Sequence, residues 1–390
     1  MADHHRARND DIEALRAVAV LFTLACHINT LLAWKGGAAE TLQHWGFWGG
    51  VDLFFCISGY VITGTLLQQQ RGNSFGEFAL PFYVRRIFRI WPAALLWLVV
   101  PLLAARYFNQ SGVFGHLLSD VPASVAAALQ IENVYAALCG HSATTPCGQA
   151  DVYWSLSLEE QFYIFFPLLL YLMRRSFLKR VLLLVTLIQL FLIRPYEGLI
   201  WSLRTDAILL GVLMALLQSE GQLQLQIRTT RERAACGVLA IGLLGLIAVI
   251  SVTPALRFNA GMLALVSAAL LLIASADADL ILPWRGVRPL LLWVGSRSFA
   301  IYLVHNPCFR ATREAFARLD LLPSNNEFSW LMLIAALLLI AAVTELTYRA
   351  VEMPLRLRGR RLARRWPAAP PVVLQPSLVD GLVTAPRAPL

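Results

Sequence analysis

The sequence predicts an all-α, polytopic membrane protein with about ten transmembrane helices and both termini cytoplasmic. Three observations carry this. Of 390 residues, 58% are hydrophobic and only 15% charged, more apolar surface than a soluble domain of this size needs. The apolar runs are long and lack strict alternation, which favours helices over a barrel. The arginines behind the net charge of +9 sit in short stretches between those runs, as cytoplasmic loops do, and not in one nucleic-acid-binding face. The first ten residues are charged and polar, and the first apolar run is long enough to span, so no cleavable signal is expected.

Taken in order, the spans are read as 12–34, 46–67, 91–108, 154–173, 181–195, 199–217, 234–253, 258–276, 289–308 and 329–349. At about 1.5 Å rise per residue each crosses roughly 30 Å of hydrocarbon, except the fifth, which is short and ends at Arg194-Pro195. The loops after the even-numbered spans carry Arg71, Arg85, Arg86 and Arg89; Arg174, Arg175, Lys179 and Arg180; Arg228, Arg231 and Arg233; Arg285 and Arg288. The alternate loops are poorer in positive charge, with Lys35 in the first, although Arg310, Arg313 and Arg318 weaken the contrast in the last. This charge bias places both ends inside. The longest non-cytoplasmic segment, 109–153, holds Cys139 and Cys147; a disulfide there is an open alternative on an oxidising face. The expected domains are a cytoplasmic N-terminus (1–11), a membrane domain (12–357) and a basic, then Pro/Ala-rich flexible tail (358–390).

Ionisable groups inside lipid-spanning helices are costly and usually face a protein interior. Arg16 lies near the inner end of the first span, and His27 about 16 Å further out. Loop charges place Asp52, Glu159, Glu160, Arg204 and His305 in the outer half of their spans, with Ser58 near mid-depth. The set suits acyl transfer. His27 can act as general base, Asp52 or Glu159 can fix its tautomer, and Arg204 or amides near Gly49-Gly50 can stabilise an oxyanion. The stretch Tyr83–Pro92, read as a cytoplasmic loop, interleaves Arg85, Arg86 and Arg89 with aromatics. Such a stretch suits a phosphorylated, adenine-bearing ligand; coenzyme A has that shape, with a long arm reaching toward His27. No His-Glu-x-x-His, Walker or Gly-x-Gly-x-x-Gly pattern occurs, so neither a metal nor ATP or NAD is expected. Each residue also has a structural reading: His27 as a satisfied core histidine, Asp52 and Glu159 as partners of bundle arginines, Ser58-Gly59 as a close helix contact. The functional alternative is a transporter or flippase of a lipid-linked or small polar substrate, which the arginine–aromatic stretch and the lack of inverted-repeat signals disfavour.

The blocks Arg16…His27, Gly50-Val51-Asp52 through Ser58-Gly59-Tyr60, Arg85-Arg86-Ile87-Phe88-Arg89, Trp154-Ser155-Leu156-Ser157-Leu158-Glu159, Arg204 ahead of Gly211, Ser298 through Tyr302 to His305, and Glu352-Met353-Pro354 resemble, in that order, the integral-membrane acyltransferase-3 family. That family contains bacterial O-acetyltransferases of surface polysaccharides and acylases of macrolides. Cys56 and Trp91 stand where Val and Tyr are commoner in it. The resemblance implies transfer of an acyl group, commonly acetyl from acetyl-CoA, to a hydroxyl of a carbohydrate or glycolipid at the bilayer of the bacterial inner membrane. It implies catalytic His27, Asp52 and Glu159, and donor binding by Arg16, Arg85, Arg86 and Arg89. Ser58, Trp154, Ser155, Arg204, Tyr302 and His305 would contact substrate, with no metal and no nucleic acid. Some relatives carry a further esterase-like domain; this chain is expected to act without one or with another protein.

Overall fold

A computed structural model describes residues 9–32, 46–69, 74–139, 147–150, 152–194, 198–253, 256–322 and 329–365. Among these the secondary structure is helical throughout. Helix α1 (Asp10–Cys26) starts where Asn9 accepts a hydrogen bond from the Ile12 amide at 2.8 Å, with Asp10, Asp11 and Glu13 in its first turn, against the positive end of the helix dipole. It ends at His27, followed by a tight turn over Ile28–Thr30. The end of the predicted first span, with Lys35, lies outside the described residues.

Helix α2 (Gly50–Leu67) crosses α8 (Asp206–Ser219) at two glycines. A Cβ on Gly59 would collide with the Ile208 carbonyl, and one on Gly211 with the Cys56 carbonyl. Only hydrogen at both positions lets the backbones approach this closely.

Helix α3 (Phe75–Tyr107) corrects a sequence expectation. The stretch 83–92 is not a loop; it lies inside one 33-residue helix that also contains Pro81, Pro92 and Pro101. Ser74 caps it by accepting from the Glu77 amide at 3.3 Å, and packing against neighbouring helices holds it past the prolines, which lack only one backbone donor each. Next come α4 (Leu117–Ala128) and α5 (Glu132–Cys139), and a disulfide joins Cys139 to Cys147.

Helices α6 (Tyr153–Leu172) and α7 (Arg175–Leu190) meet at a tight corner. Helix α7 is as short as the predicted fifth span. Helix α9 (Thr230–Val252) opens with a capping box, Thr229 and Glu232 each bonding the other's backbone amide; α10 is Asn259–Ser275. The predicted ninth span is two helices, α11 (Arg288–Ser296) and α12 (Ser298–Arg318), broken at Arg297. Helix α13 (Trp330–Thr347) runs through a π-helical turn at Tyr348–Glu352 into α14 (Met353–Ala363).

Five stretches are long and apolar enough to cross a membrane: Gly50–Leu67, Phe75–Tyr107, Leu199–Ser219, Thr230–Val252 and Trp330–Ala363. They divide into centre and rim. Leu199–Ser219 is 72% buried, whereas Phe75–Tyr107 and Trp330–Ala363 are each 28% buried. The rim helices turn Leu95, Leu96, Val99, Leu103, Ile334, Leu337 and Leu338 outward. Contiguous apolar surface on this scale belongs against lipid, and the molecule is a membrane protein. The polar residues sit inside it.

Candidate active site

The described polar residues form three groups, where the sequence suggested one. The first is a histidine pair. His27 Nδ1 lies 2.9 Å from the Thr23 carbonyl oxygen, and His305 Nδ1 lies 2.6 Å from that of Tyr302. A carbonyl only accepts, so each Nδ1 carries the proton. His305 Nε2 therefore presents a lone pair, 3.4 Å from His27 Nδ1. The ring centroids are 5.1 Å apart. One consistent assignment follows: His27 Nδ1–H is shared between Thr23 and His305, and His27 Nε2 is left with its lone pair. His305 is fully buried on α12, while His27 is half-buried.

The second group surrounds a chamber of about 80 Å³ between α1, α2, α3, α6 and α12, lined among others by Arg16, Ser58, Arg86, Arg89, Ser155 and Glu159. The Ser58 hydroxyl donates to Glu159 Oε1 at 2.7 Å, and the Tyr163 hydroxyl donates to Oε2 at 3.0 Å. Arg86 lies over the Tyr163 ring, 5.2 Å from its centroid. Tyr302, on the chamber wall beside His305, donates to the Val152 carbonyl at 2.6 Å and lies 2.6 Å from Ser155 Oγ. Arg16 and Arg89 also line a wider vestibule of about 910 Å³, together with Glu13, Gln218, Asp277 and Arg356. The two spaces share Arg16, Val61 and Arg89, so basic groups stand at their junction.

The third group is a closed ion pair. Arg204 Nε and Nη2 donate to Asp52 Oδ1 and Oδ2 at 3.1 and 3.3 Å, with both side chains at most 1% exposed. Trp201, Trp154 and Trp48 enclose the guanidinium, their ring centroids 4.0, 4.7 and 5.4 Å from its carbon. A second buried pair, Arg194–Asp206 at 2.9 Å, stands nearby in the chain.

The expected site residues fall into these groupings as follows. Asp52 bonds Arg204, and Glu159 bonds Ser58 and Tyr163; among the described residues neither hydrogen-bonds His27. In an apolar interior each charge takes its nearest complement, and His27 takes the Thr23 carbonyl and His305. Arg204 donates to Asp52 and to the Trp201 carbonyl. Trp154 serves that cage, packing edge-on to Phe55 at 5.9 Å. Arg85 lines neither the chamber nor the vestibule. Arg16, Arg86, Arg89, Ser58, Ser155 and Tyr302 do come together. Tyr163 and Arg356 were not singled out from the sequence. Tyr163 was legible as the residue four after Glu159, on the same helical face; Arg356 follows the Glu352-Met353-Pro354 block by two residues at the end of the expected membrane domain.

Fold and site define a helical membrane protein with an interior histidine pair that reaches, through Tyr302, the wall of a chamber sharing Arg16 and Arg89 with a wider vestibule. Its sequence matches the family model described as an acyltransferase domain over residues 9–348, and the chain belongs to that family. It is 27% identical over 376 residues to "O-acetyltransferase OatA" of Staphylococcus aureus, covering 89% of this chain. It is 28% identical over 393 residues, covering 93% of this chain, to "Putative peptidoglycan O-acetyltransferase YrhL" of Bacillus subtilis. It is 27% identical over 373 residues, covering 89% of this chain, to "Peptidoglycan O-acetyltransferase OatA" of Listeria monocytogenes. The chain spans 57% of the length of the first two relatives and 56% of the third. No solved structure matches it.

Proposed function

We propose that the protein is a membrane O-acyltransferase, moving an acetyl group from acetyl-CoA to a hydroxyl of a peptidoglycan-type glycan. In this reading about ten spans cross the bacterial inner membrane, with both termini and the basic vestibule on the cytoplasmic side. The donor's phosphates meet Arg16, Arg89 and Arg356 in the vestibule, and its pantetheine arm runs along the chamber toward the histidines. Arg86 and Arg89 carry no ion pair among the described residues, so their charge is available to an anion.

The observation that carries the reading is the state of His27. Its Nδ1–H is held by Thr23 and His305, which leaves the Nε2 lone pair to accept a proton. It sits on the helix whose other end brings Arg16 to the vestibule, about 16 Å away. In the reaction Nε2 takes the proton of the acceptor hydroxyl as that oxygen attacks the thioester carbonyl. The tetrahedral intermediate then expels the CoA sulfur, which leaves with the proton from Nε2. His305 plays the part a carboxylate plays in other triads, accepting from Nδ1–H while the imidazolium exists.

The test uses the full chain in nanodiscs, wild type beside His27→Ala, with radiolabelled acetyl-CoA and soluble peptidoglycan fragments. Label should reach the fragments with wild type, and transfer should fall about 100- to 10,000-fold in the variant while acetyl-CoA binding persists. Folded wild type that neither binds acetyl-CoA nor transfers label would overturn the reading.

A further inference from the structure

A second polar space lies on the far side of the chamber wall. We propose that this cleft, at the disulfide end between α3, α4 and α12, is the acceptor subsite. It would take a hydroxyl or hydroxymethyl arm of the glycan while a neighbouring hydroxyl is acylated. The proposal rests on the acyltransferase reading above.

Three acceptor atoms from two elements face this one space. Asp120 on α4 is 4% exposed and Asn306 on α12 is 2% exposed, and both line the cleft. Asn306 Oδ1 has no hydrogen-bond partner, and neither Asp120 oxygen makes a well-formed hydrogen bond, although the Gln149 backbone, the Ser119 hydroxyl and the Arg310 guanidinium stand close to it. A buried polar atom left this way costs about 1–3 kcal/mol, and most such atoms in folded proteins are bonded. These three atoms accept, so a ligand that presents O–H groups complements them, and the Arg310 guanidinium on the same lining offers a donor to that ligand's oxygens. Trp97, Phe114 and Tyr153 also line the space and offer apolar faces to the C–H face of a sugar ring. The free volume is about 20 Å³, room for one hydroxyl-bearing arm, so the ring itself rests at the half-buried rim formed by Pro101, Leu102 and Ser124.

The position suits a second substrate. Asn306 follows His305 on α12, and the cleft shares its two wall elements with the chamber. Ser155 and Tyr302 line the chamber, whereas Tyr153 and Leu303 line the cleft. The partition between them is the Tyr302 hydroxyl, bonded to Ser155 and to Val152. The cleft's remaining edge is built in: the Cys139–Cys147 disulfide anchors residues 147–150. Gly148, at φ +79°, lies so close to Ser119 and Ala123 of α4 that a side chain would not fit. Gln149 is thereby set opposite Asp120, and its carbonyl receives Arg310 Nη1 at 3.5 Å. Donor and acceptor would reach the histidines from opposite ends of the bundle.

The experiment uses the full chain in nanodiscs, with radiolabelled acetyl-CoA and soluble peptidoglycan fragments, and measures binding of tritiated fragments in parallel. Asp120→Leu and Asn306→Leu should each raise the acceptor KM at least about tenfold, as loss of a buried hydrogen bond does. The KM for acetyl-CoA and its hydrolysis without acceptor should not change. Ser124→Trp, at the rim, should raise the acceptor KM without disturbing the buried pair, which covers the case in which the buried variants do not fold. An unchanged acceptor KM in all three, or a fall in kcat alone, overturns the subsite. Fragment binding equal in wild type and Asp120→Leu means the cleft holds water only, and also overturns it. Absence of both acetyl-CoA binding and transfer in wild type condemns the acyltransferase reading instead.

Discussion

Arg204 and Arg86 are arginines in the same apolar bundle, and their surroundings differ in kind. Arg204 is completed by the protein: two bonds to Asp52, one to the Trp201 carbonyl, and three indole faces. Arg86 has the Tyr163 and Phe82 rings and a chamber, but no ion pair among the described residues. A guanidinium bonded to a buried carboxylate and a carbonyl holds helices together. One that faces a cavity keeps donors that an anion could meet. Burial alone does not separate the two; the partner list does.

The sharpest way to break this contrast is Asp52→Ala. It strands a buried guanidinium and should cost about 3–5 kcal/mol, seen as loss of monodisperse protein in size exclusion and a lowered Tm. If Asp52→Ala were as stable as wild type, the structural assignment of the pair would fail. Arg204→Lys comes next. It keeps charge but loses the bidentate fork and much of the stacking on indole, for about 1–2 kcal/mol. Arg86→Ala should act the other way round. Its stability change should stay within about 1 kcal/mol, while acetyl-CoA binding weakens about tenfold, with a shallower salt dependence. Unfolding of Arg86→Ala would erase the distinction.

A third kind of carboxylate gives the smallest effect. Glu314, beyond the apolar part of α12, accepts from the Ser111 amide and hydroxyl, the Gln110 amide and Arg318. Burial pushes its carboxyl up, but these bonds outweigh burial and hold it at about 2, against about 4.3 for a free glutamate. With the folded value depressed, its stabilisation is complete above the unfolded pKa and is lost as pH falls from about 4.3 through 2. The protection of the Gln110 and Ser111 amides against hydrogen exchange, relative to unstructured amides at the same pH, should fall over that window in wild type and stay constant in Glu314→Gln.

The helical, membrane-embedded character was legible because hydropathy survives any detail of packing. Helix ends were less so. The segment 83–92 looked like a loop because it is rich in arginine, yet arginine is a good helix former, and α3 carries it without a break. Arg16 and His27 could be found from their isolation in an apolar run. Who touches His27 could not. Asp52 and His305 lie on different helices, and only crossing geometry decides that one meets Arg204 and the other His27. The disulfide was open for the same reason, since only the fold decides whether Cys139 and Cys147 meet. The cleft beside Asp120 has no motif at all, because its two acceptors come from segments far apart in the chain.

The crossing of Gly59 and Gly211 constrains more than the distance between two helices. Asp52 precedes Gly59 by seven residues and Arg204 precedes Gly211 by the same number, Arg204 standing just ahead of α8, so the one crossing sets the spacing of both charges. A single methyl at either glycine would tilt α2 against α8 and separate the two charges at the tips. Such a variant, built far from any histidine, would inactivate the protein by leverage alone, and a compensating change would have to be sought on the opposite helix.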